Sequence, residues 1–289
     1  MRPSSHGSLP TFNALAGAAD DAIDLALGAA LIAKDVYGDL DVRELVHRFD
    51  ALAGPLNGGA LAGLPLAEQA EAVSARFRDL GFRGNVEDYY DARNSLLPDV
   101  LDRRTGIPIT LTLVWCEIAR RAGVYARGVG FPGHFLARVD GSSPGPRSVI
   151  ESAPVIVDPF AGGRVVNDDD ARALLERTLG AGAVVRPSLF APATPRATLV
   201  RMLTNLKAVW AGRGEHTKAF VAIDRIVALV PDSAPMLRER AGVALRLGIH
   251  ELARTDLKRV LELEPNAPDA PAIQQRIVTL RTSVRSAPN

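Results

Sequence analysis

The sequence predicts an α+β domain followed by an all-α domain of repeats. Two observations carry this division. Residues 94–138 read in order as a short helix, a buried helix and a β-hairpin, and residues after 195 repeat themselves with a period of 34. The chain of 289 residues is long enough to bury a substantial core. Its 47% hydrophobic and 23% charged residues are those of a soluble globular protein.

The first domain is expected over residues 13–179, after a Ser/Pro/Gly-rich terminus (1–12) that reads as disordered. An Ala-rich helix is predicted over 13–34, with Asp20, Asp21 and Asp24 as its polar side. Asp41 caps a second helix, whose stripe is Val42, Leu45, Val46, Phe49 and Leu52. Pro65 starts a third, ending at Gly81. A turn over 82–85 leads to the aromatic pair Tyr89 and Tyr90. Asn94 and Ser95 can cap the next short helix, and Gly106 breaks it. Pro108 suits the first position of a new helix because its missing N–H is not needed there. From Ile109 onward nearly every face of that helix is apolar, so it is read as buried almost all round. A strand over 124–131, a Pro132-Gly133 turn and a returning strand over 134–138 place His134 at the mouth of a hairpin. Short strands are expected at 148–151 and 155–158, and a helix at 168–179 with three aspartates at its N-terminus.

Residues 180–195 hold two Gly and three Pro and read as a linker. Beyond it, Gly214 and Gly248, Ala219 and Ala253, Leu229 and Leu263, and Pro231 and Pro265 are each 34 residues apart. Helix, Gly turn, helix, Pro at that period is the tetratricopeptide pattern. Two repeats (198–230 and 233–264) and a capping helix over 270–285 fill the domain at 196–289.

Composition excludes several classes of function. A net charge of +1 points to neither nucleic acid nor membrane. The one cysteine, Cys116, forbids an internal disulfide and fits a reducing cytoplasm. The first dozen residues lack the apolar segment of a signal peptide, and the apolar stretch 22–33 is too short to span a bilayer. The five histidines show no paired ligand spacing, so no metal and no cofactor are expected. No phosphate-binding loop is present: Gly128-Val129-Gly130 precedes no helix.

The runs RRTGIPITL, GVGFPGHFLAR and VDPFAGG resemble the SirB-type transglutaminase-like proteins, which carry C-terminal tetratricopeptide repeats. The resemblance implies a transglutaminase-like (papain-like) domain of helices and antiparallel sheet. In the enzymes of that fold a Cys at the start of a buried helix attacks an amide carbonyl, a His shuttles the proton and an Asp orients the His. By resemblance, His134 and Asp158 occupy two of those roles. The nucleophile's position falls on or beside Pro108, and neither Ile107 nor Ile109 can replace it. Cys116 lies eight residues further on, roughly 12 Å along a helix. Free cysteine commonly packs as a small hydrophobe, which favours core for Cys116.

Three readings follow. The first is a non-catalytic protein or peptide binder, with the repeats as interaction module and His134, Asp158, Asn94, Arg104 and Thr110 as binding residues. Charges such as Lys218, Arg238, Arg240, Arg246 and Arg254 suggest an acidic partner, and solvated helix faces explain them equally. The second is a cysteine-dependent amidase, peptidase or acyltransferase using Cys116, His134 and Asp158. It requires a strand up to Trp115 and a helix only after it. The third is a regulatory adaptor, differing from the first only in partner.

Overall fold

The computed structural model describes residues 9–59, 61–141 and 153–285. In chain order the helices are α1 (Phe12–Ala16), α2 (Leu25–Lys34), α3 (Val42–Ala53), α4 (Leu66–Asp79), α5 (Leu97–Arg103), α6 (Pro108–Arg121), α7 (Asp168–Leu179), α8 (Pro195–Gly212), α9 (His216–Leu229), α10 (Ala234–Arg246), α11 (His250–Leu263) and α12 (Ala270–Arg285). The strands are β1 (Arg83–Gly84), β2 (Thr105–Gly106), β3 (Ala126–Val129), β4 (Leu136–Val139), β5 (Val155–Asp158) and β6 (Arg164–Val165). The chain divides into two compact units, one of residues 19–202 and one of residues 1–18 with 203–289, the second boundary falling inside α8. Among the described residues no helix is long and apolar enough to cross a membrane.

The first unit is the α+β domain. Its sheet is an antiparallel meander in the order β3-β4-β5-β6. Helix α6 packs on β3 and β4 and against α3 and α4. Pro108 through Trp115 are all buried, as are Ile118 and Ala119, which matches the all-round apolar pattern of the sequence. Each large apolar side chain so removed from water contributes about 1.5–3 kcal/mol. Three polar groups of this helix find partners inside the core. Thr110 Oγ1 donates to the Asn94 carbonyl at 2.7 Å, Thr112 Oγ1 to the Phe135 carbonyl at 3.2 Å, and Trp115 Nε1 to Ser74 Oγ at 3.2 Å. Such pairing is obligatory, since an unpaired buried donor costs about 1–3 kcal/mol.

Several local expectations need correction. The helix predicted over 13–34 is interrupted: α1 ends at Ala16, a 3₁₀ turn spans Asp20–Ala22, and α2 starts at Leu25. Asp24 belongs to no polar face; its carboxylate caps α2 by accepting the Leu27 N–H at 2.9 Å. The Asn94-Ser95 pair does not cap α5, because Asn94 ends a 3₁₀ turn that Ser95 closes and α5 starts at Leu97 behind Leu96. Residues 83–84, read as turn, pair in parallel with 105–106. His134 precedes β4 rather than starting it, held in the turn by its N–H to the Phe131 carbonyl at 3.0 Å. The strand expected at 148–151 lies outside the described residues. Segment 180–195, read as linker, includes a 3₁₀ turn (Pro187–Phe190), and Ala193 N–H donates to the Gly128 carbonyl at the edge of β3.

In the second unit the repeat reads as predicted. Gly214 and Gly248 both have positive φ, 72° and 75°, in the turns before α9 and α11, a conformation that glycine adopts without strain. The core of this unit is built from Ile223 and Val227 of α9, Leu237 and Ala241 of α10, Leu257 and Val260 of α11, and Ile273 and Leu280 of α12. Many of its cations are engaged: Lys218 with Glu215, Arg238 with Glu264 and Asp269, Arg254 with Glu251. Those pairs weaken the expectation of an acidic partner. Arg240 of α10 reaches Asp224 of α9 at 2.6 Å and, through two nitrogens, Asp256 of α11 at 2.7 and 2.8 Å. Burial alone would lower its pKa, but Asp256 and Asp224 more than offset this and hold the guanidinium above its ordinary value. The Asp256 side chain is only 2% exposed.

Removing Asp256 leaves the largely buried Arg240 guanidinium with the more exposed Asp224 as its one remaining carboxylate in this network. Asp256→Ala is therefore expected to lower the unfolding free energy by about 3 kcal/mol, read from the urea midpoint. Asp256→Leu combined with Arg240→Met should recover most of that loss.

Candidate functional site

A cavity of about 500 Å³ opens where α6 starts, and its lining includes Pro108, His134 and Asp158. Asp158 ends β5 and caps the 3₁₀ turn Pro159–Ala161: its Oδ1 accepts the Phe160 N–H at 2.9 Å and the Ala161 N–H at 3.3 Å. Its Oδ2 lies 3.0 Å from His134 Nε2, with both side chains nearly buried. The contact is not a well-aimed hydrogen bond, and Nε2 has no hydrogen-bond partner. Arg201 fixes the histidine's turn from behind, donating to the His134 carbonyl at 2.8 Å and the Phe131 carbonyl at 3.3 Å. Burial lowers the pKa of this guanidinium. An aromatic wall stands beside the pair: Phe160 meets the His134 ring edge-on at 5.9 Å and the Tyr89 ring at 6.3 Å. Desolvation raises the Tyr89 hydroxyl's pKa, with Arg201 pulling the other way. The far wall is one face of α7, carrying Asp170, Ala173, Leu174, Arg177 and Thr178 at helical spacing.

No residue lining this cavity is a cysteine or a serine. Cys116 faces a different cavity of about 450 Å³, bounded by Asp24, Thr112, Glu117 and Phe135 among others. Helix α6 is continuous from Pro108 to Arg121, so the strand-then-helix arrangement that would bring Cys116 beside His134 is absent. Some surface of Cys116 remains accessible although protein atoms surround it, as at the bottom of a recess. Burial first, and Glu117 second, push its thiol well above the ordinary range.

The other expected binding residues lie elsewhere. Asn94 and Thr110 are joined to each other, but as buried scaffold outside the cavity lining. Asn94 Nδ2 donates to the Asp88 carbonyl at 2.7 Å and the Tyr89 carbonyl at 3.3 Å, and Oδ1 accepts from Asn85 Nδ2 at 3.0 Å. Asn94 thereby holds the Tyr89 loop. Arg104 is the one non-glycine residue with positive φ among those described, 56°, and its guanidinium stacks over Phe82 at 4.8 Å. It does not line the cavity. Tyr89, Phe160, Arg177 and Arg201 were not expected at the site. Only the two aromatics carried a sequence signal, as part of the Tyr89-Tyr90 pair and of VDPFAGG. Among the described residues no group of three or more His, Cys, Asp or Glu is placed to hold a metal ion.

A four-stranded antiparallel sheet behind a buried helix, with a His–Asp pair facing the helix's first residue, is a transglutaminase-like core, here followed by tetratricopeptide repeats. A family model for the transglutaminase-like superfamily matches residues 43–204, and one for the tetratricopeptide repeat matches residues 206–278. The chain belongs to the UPF0162 family. It is 36% identical over 280 residues to a UPF0162 protein of Xylella fastidiosa strain 9a5c, covering 94% of this chain and 95% of that one. A UPF0162 protein of Pseudomonas aeruginosa is 32% identical over 236 residues, 82% of each chain. Human F-box only protein 21 is 30% identical over 177 residues, which are 60% of this chain and 27% of that protein.

Three outcomes are expected. Because the folded thiol resists ionisation, Cys116 should react with iodoacetamide at pH 7–8 far more slowly in the native than in the urea-unfolded protein. The raised thiol also makes stability fall as pH climbs above about 8.5, where only the unfolded chain ionises, and Cys116→Ala should flatten that slope in denaturant titrations. Asn94→Ala strips partners from Asn85 and from the Asp88 and Tyr89 carbonyls, and should cost about 2–3 kcal/mol by the same titration.

Proposed function

We propose that the protein binds its ligand without chemistry: a transglutaminase-like domain lacking the nucleophilic cysteine, with the repeats as a module for a protein or peptide partner. The observation that carries this reading is the composition of the cavity at the start of α6. It contains His134 and Asp158, but the first helical residue facing it is Pro108, which has no nucleophilic atom. The one thiol of the chain opens into the other cavity and is held protonated by its surroundings. Acyl transfer needs a nucleophile within hydrogen-bond reach of the base, and the residues lining this cavity supply only the hydroxyls of Tyr89 and Thr178. The Tyr89 phenol is raised by burial, and Thr178 Oγ1 points to the Pro132 carbonyl at 3.4 Å. Under this reading the His–Asp pair is part of a binding wall. Tetratricopeptide helices add grooves suited to extended or helical peptides, which bind there at low reorganisation cost.

The test is a hydroxamate assay on the full chain, with a blocked glutamine amide as donor and hydroxylamine as acceptor. The expected result is no turnover above the uncatalysed rate, and no difference between the native protein and Cys116→Ser. Hydroxamate formation that disappears in Cys116→Ser or His134→Ala would overturn the proposal and restore the cysteine-dependent reading.

A further inference from the structure

We infer that the cavity beside His134 receives a carboxylate carried on an apolar or aromatic group, with Arg177 as the residue that recognises the charge. This rests on the binding reading above and names the chemistry of the ligand. The argument is an account of hydrogen-bonding capacity around the cavity. Two carboxylates line it: three of their four oxygens accept hydrogen bonds from the protein, and the fourth lies against the His134 ring. Asp158 Oδ1 accepts two backbone N–H groups and Oδ2 lies 3.0 Å from His134. Asp170 Oδ1 accepts from Arg164 at 2.7 Å, and Oδ2 accepts the Asn167 N–H at 3.3 Å. The carboxylates are therefore largely satisfied by the protein itself.

Donors remain. Arg177 forms no ion pair with any carboxylate among the described residues, and Arg164 uses one terminal nitrogen on Asp170. Both guanidiniums offer further N–H groups in a planar fork that matches a carboxylate, and charge-assisted pairs of this kind are the stronger class of hydrogen bond. Arg177 sits at the exposed end of the α7 face, one turn beyond Leu174 and Ala173. Inward of it, Leu174 and the Phe160 and Tyr89 rings provide apolar surface, and Tyr89 keeps 40% of its own surface exposed. A ligand with a ring or branched chain against that wall places its carboxylate within the reach of Arg177. A cavity of about 500 Å³ suits a group the size of one amino-acid residue and its neighbour. The chain end of a peptide and a free carboxylic acid share this chemistry.

The test is calorimetric titration of the full chain with four probes: 3-phenylpropanoate, its amide, an N-acetylated dipeptide ending in phenylalanine, and the same dipeptide as its C-terminal amide. Each acid is expected to bind at least tenfold more tightly than its amide. Arg177→Gln should bring the acid to the level of the amide. Arg172→Gln, an exposed position on the same helix outside the cavity lining, should leave the ratio unchanged and so exclude a general charge effect. A dipeptide acid that binds more tightly than phenylpropanoate points to a peptide chain end, and equal binding to a small acid. Equal binding of acid and amide, binding of neither at millimolar concentration, or an acid preference that survives Arg177→Gln would each overturn the inference. The amides also separate this outcome from the reading beneath it. If mass spectrometry shows an amide converted to its acid, the non-catalytic proposal fails, while the order of affinities, read in Cys116→Ser, still decides the carboxylate site.

Discussion

The first unit depends on a helix with almost no solvent face. Helix α6 is buried from its first residue through Trp115, so every polar atom in that stretch must be answered inside the protein. Thr110, Thr112 and Trp115 are answered at three places far apart in sequence: the turn at Asn94, the approach to β4 at Phe135, and α4 at Ser74. Apolar burial supplies the free energy, but it is nondirectional and would tolerate small slides. The three hydrogen bonds fix the register of the segments around the helix. The cavity stands at the helix's first residue because the same contacts bring the Tyr89 loop and the His134 turn to that end.

Within this frame the chemical groups are separated rather than assembled. Cys116 lies about two turns beyond Pro108, and a helix turns the two positions toward different neighbours. It is surrounded by protein atoms, with Glu117 adjacent, which disfavours a thiolate. His134 has its aspartate and its supporting arginine, each placed by backbone contacts: Asp158 by the turn it caps, Arg201 by two carbonyls. A histidine held this firmly serves as well in a wall as in a reaction.

Much of this was legible in the sequence. The burial of α6, its start at Pro108, the hairpin, α7 and both repeats follow from periodicity, Pro and Gly placement and the 34-residue spacing. The failures have physical causes. Three aspartates between 20 and 24 look like a polar helix face, yet Asp24 caps a new helix, and caps and faces use the same residue types. Asn94 looked like a cap or a ligand because Asn is common in both roles, whereas here a buried network saturates it. Arg201 had no local signal at all: its contact with His134 spans 67 residues of sequence. Arg177 was hidden for a different reason, since a cation in the last turn of a helix is already accounted for by the dipole.

Arg240 carries a consequence for the repeats. Tetratricopeptide arrays are quasi-linear, each helical pair touching only its neighbours, so in principle one end can melt while the other persists. Here a single guanidinium on α10 is bonded to α9 on one side and α11 on the other. Opening of either neighbour removes part of that guanidinium's pairing, so this one side chain couples α9, α10 and α11 to one another.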